Sequence, residues 1–300
     1  MTFRDFMLLF AVCMVWGLNL VVTRWVVTDL GVPPIFFAAL RFVGVAGLLV
    51  WFLRPKPEDL RMLFLIAMFI GALHFTFLFY GLKTADASAA AIATQLNAPF
   101  ATLMSMAFLG EIIGWRRGLG IMLAFGGVVL IAFDPESFSV SMGLVYIVVG
   151  VFLMSAGSIL MKRMPQIKAL QLQAWVGLFS ILPLFALSGI FESGQIEAMS
   201  QGGWQLLIAW LFAVIGVSIF GHGVFYYLIK KHDVSLISPL TLMAPVWGVV
   251  FGIVLLNEPI TARLVLGSII SLSGILVIAI RQNKKLPEAP ILAKLGSGDS

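Results

Sequence analysis

Hydrophobic residues run along this chain in ten long stretches, separated by short breaks that carry charges or Gly and Pro. A helix needs about 20 apolar residues to cross a bilayer, and these runs lack the alternation of membrane β-barrel strands. The pattern therefore predicts an all-α integral membrane protein with ten transmembrane helices, over residues 6–27, 34–53, 62–82, 87–109, 117–133, 142–161, 171–190, 205–229, 234–256 and 264–280. Residues 282–300, with two prolines and a Gly-Ser-Gly end, are predicted to form a disordered cytoplasmic tail.

The two halves of the chain repeat a series of short motifs in the same order. The matched pairs lie 146 or 147 positions apart: Phe79-Tyr80 with Phe225-Tyr226, Ala98-Pro99 with Ala244-Pro245, and Leu109-Gly110-Glu111 with Leu256-Asn257-Glu258. Each half holds five predicted spans, and because five is odd, the second half enters the membrane from the opposite face. The pattern predicts two inverted five-helix repeats, over 1–135 and 136–281. Secondary transporters have this organisation, with the substrate site at the repeat interface.

The composition excludes a soluble domain. The chain is 61% hydrophobic and 11% charged, whereas soluble domains carry roughly 25% charged residues. The single cysteine, Cys13, excludes a disulfide framework and is expected to be a small packing residue. The first apolar run is too long for a cleaved signal peptide, so we expect an uncleaved first helix.

The distribution of Lys and Arg predicts the topology. Fifteen of the 19 basic residues fall on one side of the predicted spans, and Lys83 and Arg263 alone fall on the other. Cytoplasmic loops of membrane proteins carry an excess of Lys and Arg, so both termini are predicted to be cytoplasmic. This bias also explains the formal net charge of +5 without a nucleic-acid partner.

Several motifs resemble those of a known family. They are Trp16-Gly17-Leu18-Asn19, Pro33-Pro34 followed by Ala39-Leu40-Arg41-Phe42, and Leu109-Gly110-Glu111. In this order they resemble the EamA branch of the drug/metabolite transporter superfamily, although Asn257 stands where the second copy usually has Gly. The resemblance implies an exporter-like ten-helix fold in the inner membrane, with a central cavity built mainly by spans 1–4 and 6–9. It also implies substrates such as amino acids and related metabolites.

Arg41 lies deep inside span 2, where a charge is costly in lipid and is therefore a candidate for function. A guanidinium group presents paired donors that match a carboxylate, so Arg41 is predicted to bind the carboxylate of a substrate. The alternatives are a structural pair with Asp29, Asp86 or Glu258, or extension of the side chain to the membrane surface.

Two histidines, His74 and His222, fall in the third span of each half, although not at aligned positions. No Asp or Glu occupies the middle of any predicted span, so a histidine is the side chain that could titrate near neutral pH in a proton-coupled mechanism. The alternative is a neutral histidine bonded to a neighbouring helix. Two histidines without Cys or carboxylate ligands are too few for a metal site.

Prolines break spans 4 and 9 at matching depth. Pro99 and Pro245 each remove a helical hydrogen bond and free the carbonyl four residues earlier, on Gln95 and Thr241. Irregular backbone inside a membrane is tolerated where it lines a cavity, so these prolines are predicted gating or hinge positions. A kink that only shapes packing is the alternative.

The other candidate substrate-binding residues are polar or aromatic side chains inside the spans. They either contact a substrate or pack between helices: Trp16, Asn19, Tyr80, Gln95, Asn97, Ser155, Ser158, Trp175, Tyr226, Thr241 and Trp247. Aligning Arg24 with Arg163 sets Ser155 opposite Trp16 and Ser158 opposite Asn19. The cavity is therefore predicted to be asymmetric.

These patterns predict a secondary transporter that exports small metabolites, such as amino acids or their derivatives, by alternating access. No cofactor is expected, and the chain contains no phosphate-binding loop for ATP. A monomer and a homodimer both fit the sequence. Two other function classes stay open at this point: an intramembrane enzyme that acts on lipid with His74 or His222 as base, and a channel or scaffold subunit.

Overall fold

The structure, a computed structural model, describes residues 1–110, 112–134, 139–162, 164, 167–232 and 234–281. Glu111, which is the predicted first-half counterpart of Glu258, and the predicted tail 282–300 lie outside the described residues. The described part is helical apart from one antiparallel pair of two-residue strands, β1 (Phe133–Asp134) and β2 (Ser139–Val140). An all-helical membrane protein, as the hydropathy predicts, agrees with this structure.

The described residues of the first half form seven α-helices, two short 3-10 turns and one π-helical stretch. In chain order these are α1 Phe3–Thr28, α2 Pro34–Leu48, the 3-10 turn Val50–Leu53, α3 Leu60–Ile66, the π-helix Ala67–Leu73, α4 His74–Gly81, α5 Ala87–Ala93, the 3-10 turn Thr94–Leu96, α6 Asn97–Leu109 and α7 Trp115–Ala132.

The second half contains eight described α-helices and a second π-helical stretch. They are α8 Met142–Lys162, α9 Ala169–Phe191, α10 Gln195–Gln201, α11 Gly203–Leu211, the π-helix Phe212–Gly221, α12 His222–Lys231, α13 Val234–Leu240, α14 Met243–Leu256 and α15 Ala262–Arg281.

Helical structure covers all ten sequence-predicted ranges, but it is not continuous in each. Within the described residues, seven helical stretches are long and apolar enough to cross a membrane, over Phe3–Thr28, Leu60–Gly81, Trp115–Ala132, Met142–Met161, Ala169–Phe191, Gly203–Lys231 and Ala262–Ile280. The sequence did not predict the break within span 2, whereas it did predict the interruptions of spans 4 and 9. Span 2 ends as an α-helix at Leu48 and continues as a 3-10 turn, and spans 4 and 9 are interrupted near their prolines.

The two π-helical stretches occupy corresponding places in the two halves. Each forms the middle of a predicted third span and ends at the residue before a histidine, His74 or His222. A π-helical stretch carries one residue more than an α-helix would and is often found at functional sites. Periodicity gave no signal for either stretch, because apart from Ser218 the residues within them are apolar or glycine.

Helices α7 and α15 pack against each other through glycines. A β-carbon on Gly120 would lie 2.8 Å from the carbonyl oxygen of Gly274, and one on Gly127 would overlap the carbonyl oxygen of Gly267. Small residues allow this close approach of two backbones, which is a common way to associate helices in membranes. The glycine faces of the two helices are therefore used within the chain.

Charged groups tie the helices together at the two ends of the bundle. At one end, which we call the terminus end, Asp5 at the start of α1 pairs with Lys231 at 3.0 Å, and its carboxylate lies 2.8 Å from His232 Nε2. At the opposite end, which we call the Glu258 end, Arg24 on α1 pairs with Asp86 at 2.9 Å. The final turns of α1 and α14 and the start of α5 thus share one end.

Two glutamates of the second half cap helix N-termini of the first half at the Glu258 end. Glu258 accepts hydrogen bonds from the amides of Ala87 and Ser88, at 2.6 and 2.9 Å, at the start of α5. Glu192 likewise accepts from two amides at the start of α2, at 2.7 and 3.0 Å. The first amides of a helix lack internal partners and carry partial positive charge, so each carboxylate satisfies two of them.

We predict that Gly127→Ala destabilises the protein by about 1–3 kcal/mol, because the added methyl group would force α7 and α15 apart. Thermal unfolding of purified protein in detergent micelles would measure the effect. The neighbouring exposed Gly126 has open space at its β-carbon position and supplies the matched control, Gly126→Ala. Equal losses of stability in the two variants would contradict the proposed packing.

Candidate functional site

A cavity of about 530 Å³ lies in the middle of the bundle, between helices of both halves. Side chains from α1, α2, α4, the segment α5–α6, α12 and the turn before α14 form most of its wall. Its lining reaches Tyr226 on α12 and Ala279 near the end of α15. Toward the Glu258 end it stops at Ala91, beyond which residues 87–90 are buried. The cavity is therefore closed toward the Glu258 end.

Arg41 is the charged residue of this wall and is almost fully enclosed, with 3% of its surface exposed. Its Nε and Nη2 donate to the Ser218 hydroxyl oxygen at 3.2 and 3.1 Å. The guanidinium carbon lies 4.9 Å from the centre of the Phe75 ring. The remaining nitrogen, Nη1, is buried without a hydrogen-bond partner among the described residues. One nitrogen of a buried cation thus lacks a hydrogen-bond acceptor.

The carboxylates that could have paired with Arg41 are engaged elsewhere. Asp86 and Glu258 lie near Arg24, at 2.9 and 3.6 Å, and Asp29 accepts a hydrogen bond from Thr28. Within the described part of the chain, Arg41 forms no ion pair. Ser218, a hydroxyl in the second π-helical stretch, stabilises the guanidinium group instead.

Aromatic rings cluster on the side of the cavity formed by α1 and α12. The Trp16 ring lies 5.4 Å from the ring of His222 and 5.1 Å from that of Phe225. Tyr226 continues the cluster, 6.3 Å from His222. The indole nitrogen of Trp16, a hydrogen-bond donor, is buried against Gly221 and has no hydrogen-bond partner among the described residues.

Both predicted histidines line the cavity, and each is held by a main-chain carbonyl. His74 Nδ1 lies 2.9 Å from the Gly150 carbonyl oxygen on α8, and His222 Nδ1 lies 3.0 Å from the Val217 carbonyl oxygen. Because a carbonyl only accepts, Nδ1 carries the hydrogen in both rings. In the neutral form, Nε2 is then left as an acceptor.

Three amide side chains, Asn19, Gln95 and Asn97, add donors and acceptors to the wall. Asn97 is positioned from behind by Ser155, whose hydroxyl lies 2.8 Å from the Asn97 side-chain oxygen. Ser155 itself is fully buried and does not reach the cavity. Its role in the structure is to fix Asn97.

The predicted proline breaks are present, and the irregular backbone of both borders the cavity. In span 4, α5 gives way to the 3-10 turn Thr94–Leu96 shortly before Pro99, and in span 9 a turn at residues 241–242 precedes Pro245. Thr241 and Pro245 line the cavity, whereas Pro99 is buried behind it. The irregular backbone thus lies next to the cavity, while a gating role for the prolines stays a prediction.

Several predicted binding residues lie outside the cavity wall. Trp247 packs between Phe10 and Phe251, Trp175 packs on Phe179, and Ser158 bonds the Met154 carbonyl of its own helix. Tyr80 is 38% exposed and contacts Tyr146.

Helix geometry explains the different placement of the aligned Tyr80 and Tyr226. Tyr226 follows its histidine by four residues and so lies about 40° from it around the helix, on the same face. Tyr80 follows His74 by six residues, which is about 240°, and therefore points away. The sequence already contained this difference in spacing, although the motif alignment concealed it.

Sequence reasoning missed several residues that form or support the site. Ser218 holds Arg41, Phe75 lies under the guanidinium group and Phe225 belongs to the aromatic cluster. Ile275 and Ala279 come from span 10, which the family resemblance did not include in the cavity. Phe225 precedes the selected Tyr226 and could have been found by its motif. Ser218 is a hydroxyl inside an apolar span, as the selected serines are, but its contact with Arg41 on another helix could not be predicted from the sequence.

Comparison with known proteins gives a match along most of the chain. The EamA-like transporter family matches twice, over residues 5–133 and 141–280. A "Probable amino-acid metabolite efflux pump" of Escherichia coli (strain K12) is 27% identical over 92% of this chain and 95% of its own. A protein of the same description from Salmonella typhimurium has the same identity and coverage. An uncharacterized transporter of Synechocystis is 26% identical, covering 94% of this chain and 92% of that protein.

One solved crystal structure has a similar fold. It aligns with a TM-score of 0.54 and 17% identity, over 92% of this chain and 96% of its own. The family match in each half, together with the long apolar helices, identifies a multi-pass membrane protein that contacts the lipid bilayer and carries a small molecule. The matching family is one of transporters and not of enzymes. The chain therefore belongs to the EamA-like transporter family.

Proposed function

We propose that this protein is a secondary transporter that exports small carboxylate-bearing metabolites, such as amino acids or their derivatives, by alternating access. The observation that carries this proposal is the buried Arg41, which borders the central cavity with Nη1 unpartnered. A buried cation without a counter-charge is costly, and a bound carboxylate would supply both the charge and the missing hydrogen bond. Relatives described as probable amino-acid metabolite efflux pumps support the same class of substrate.

The proposed substrate site is the part of the cavity wall where polar and aromatic side chains meet. It comprises residues that sequence analysis singled out and that line the cavity, namely Trp16, Asn19, Arg41, His74, Gln95, Asn97, His222, Tyr226 and Thr241. Pro99 and Pro245 are proposed as hinges. In this arrangement the carboxylate binds at Arg41, and the body of the substrate lies against the aromatic cluster of α1 and α12.

The proposed architecture is two inverted five-helix repeats, 1–135 and 136–281, that cross the inner membrane ten times. The separate family matches to the two halves and the corresponding π-helical stretches support a repeat. The excess of Lys and Arg on one side supports cytoplasmic N and C termini. The Glu258 end would then face outward.

Alternating access in this proposal depends on the charged groups at the two ends. The cavity extends toward the terminus end and is closed toward the Glu258 end, where Glu258 of one half caps α5 of the other. Breaking the bonds of Glu258 to Ala87 and Ser88 would allow the halves to separate outward. In the proposed cytoplasm-facing state, a substrate enters from inside before export.

We predict saturable transport of a small carboxylate by the purified protein. Proteoliposomes preloaded with unlabelled aromatic or aliphatic amino acids and their derivatives would exchange them for labelled external substrate. Protein-free liposomes are the control. Conduction that does not saturate would favour a channel, and absence of flux for every amino acid, derivative and organic acid tested would refute the proposal.

We predict that Arg41→Gln weakens the apparent affinity for a carboxylate substrate by about 10- to 100-fold, the equivalent of one charge-assisted hydrogen bond. Arg41→Lys keeps the charge but loses the planar fork, so its effect should be smaller. In both variants, neutral substrates should lose much less affinity. Concentration dependence of exchange measures the effect, with exposed Arg116→Lys as control. Equal losses for charged and neutral substrates would assign Arg41 a structural role.

We predict that Glu258→Gln opens the cavity outward, because the charged hydrogen bonds to α5 contribute about 1.5–3 kcal/mol each. A single cysteine at Ala91, in a Cys13→Ala background, would report this opening through its rate of labelling by a membrane-impermeant maleimide added outside cells. The rate should rise several-fold. Glu197→Gln, which alters only contacts within α10, is the matched control. An unchanged labelling rate would exclude Glu258 as a gate.

A further inference from the structure

We propose that the cavity selects organic monocarboxylates without an ammonium group, with an aromatic or apolar body, over free zwitterionic amino acids. Deaminated acids and N-acylated amino acids are the chemical classes that fit. This inference rests on the proposed function, because it concerns the substrate bound at Arg41. It goes beyond that function because it excludes substrates that carry an ammonium group.

The charges of the cavity wall are of one sign. Arg41 provides a permanent positive charge, and no Asp or Glu lies among the described residues that line the cavity. His74 and His222 both donate from Nδ1 to main-chain carbonyls, so in the neutral form they offer acceptors but no negative charge. A bound carboxylate would therefore make the occupied cavity electrically neutral.

The acidic side chains that could have anchored an ammonium group are used at the ends of the bundle. Glu192 and Glu258 cap α2 and α5, Asp5 pairs with Lys231, and Asp86 pairs with Arg24. Within the described residues, none of these carboxylates borders the cavity. Their placement makes an ionic contact with a substrate ammonium group unattainable in this conformation.

A zwitterionic amino acid would bring a second cation into the same enclosed space. Its carboxylate would neutralise Arg41, but its ammonium group would find only neutral oxygens and nitrogens, such as those of Asn19, Gln95 and Asn97. Taking an ammonium ion out of water without a counter-charge is strongly unfavourable. Two like charges in a medium of low dielectric constant add repulsion to that cost.

The neutral donors of the wall match what an acylated or deaminated acid carries instead. The Trp16 indole nitrogen is buried without a partner, and an acyl or keto oxygen is an acceptor for it. The adjacent rings of Phe225 and Tyr226 offer an apolar surface on which an aromatic or aliphatic body can pack. Charge and shape thus favour the same class of compound.

A matched series of phenyl compounds tests this inference in proteoliposomes of the full chain. 3-Phenylpropionate, phenylpyruvate and N-acetylphenylalanine carry the carboxylate alone, phenylalanine carries both charges, and phenylalanine amide carries the ammonium group alone. Competition against labelled 3-phenylpropionate should be at least about tenfold stronger for the first group than for phenylalanine, and absent for the amide.

Variants at Arg41 link the preference to the proposed charge. Arg41→Gln should abolish the preference for anions over phenylalanine amide, whereas Arg41→Lys should keep it in reduced form. Arg116→Gln, at an exposed position, should leave the order of compounds unchanged. Thermal unfolding of each variant in detergent would show that it folds. A folded Arg41→Gln variant that keeps the wild-type order would overturn the inference.

The possible failures are distinguishable. If phenylalanine is exchanged saturably and competes as well as or better than N-acetylphenylalanine and 3-phenylpropionate, the preference for anions is wrong while the proposed transporter stands. If no compound of the series and no other metabolite is exchanged saturably, the proposed function itself fails. If the anions compete and phenylalanine does so at least about tenfold more weakly, both are supported.

Discussion

Hydrocarbon offers a buried polar group neither a hydrogen-bond partner nor a counter-charge, and the arrangement of this protein depends on that constraint. At the Glu258 end it is met by pairing, because Glu192 and Glu258 each satisfy two helix-start amides from the other half of the chain. These bonds hold the halves together at one end. In the middle, Ser218 satisfies part of the Arg41 guanidinium group and leaves one nitrogen unpartnered beside the cavity. The missing hydrogen-bond acceptor of one buried cation therefore defines the chemistry of the site.

The same constraint explains where the helices become irregular. A freed carbonyl or a shifted hydrogen bond is tolerable in a membrane only where other protein groups or a cavity are at hand. The turn before Pro245 borders the cavity, as does the 3-10 turn before Pro99, and the two π-helical stretches end at histidines in its wall. The Ser218 hydroxyl that holds Arg41 belongs to one of those stretches. Irregular backbone and functional side chains are consequently found together.

The two halves have corresponding helices, but residues at corresponding positions do not make the same contacts. Trp16 enters the aromatic cluster, while its counterpart Ser155 turns to a neighbouring amide and fixes Asn97. Tyr226 faces the cavity and Tyr80 does not, because their distances from the histidines differ by two residues. The cavity therefore has a cationic part at α2 and an aromatic part at α1 and α12. An asymmetric site of this kind can orient a substrate that has a charged head and an apolar body.

Hydropathy and repetition were sufficient to predict a helical membrane protein, the approximate ranges of its helical segments and the proline breaks, because these depend on local composition and backbone chemistry. Arg41, both histidines and the amides could be nominated from the sequence, because polar groups inside apolar runs are rare. Three features depended on contacts between distant segments: the enclosure of Arg41 by Ser218 and Phe75, the removal of Trp175 and Trp247 from the cavity, and the use of Asp86 and Glu258 at the bundle end. Only the tertiary structure decided them, because the partner of a buried charge depends on which helices pack together. The periodicity of a helix that is hydrophobic all round does not predict which helices it packs against.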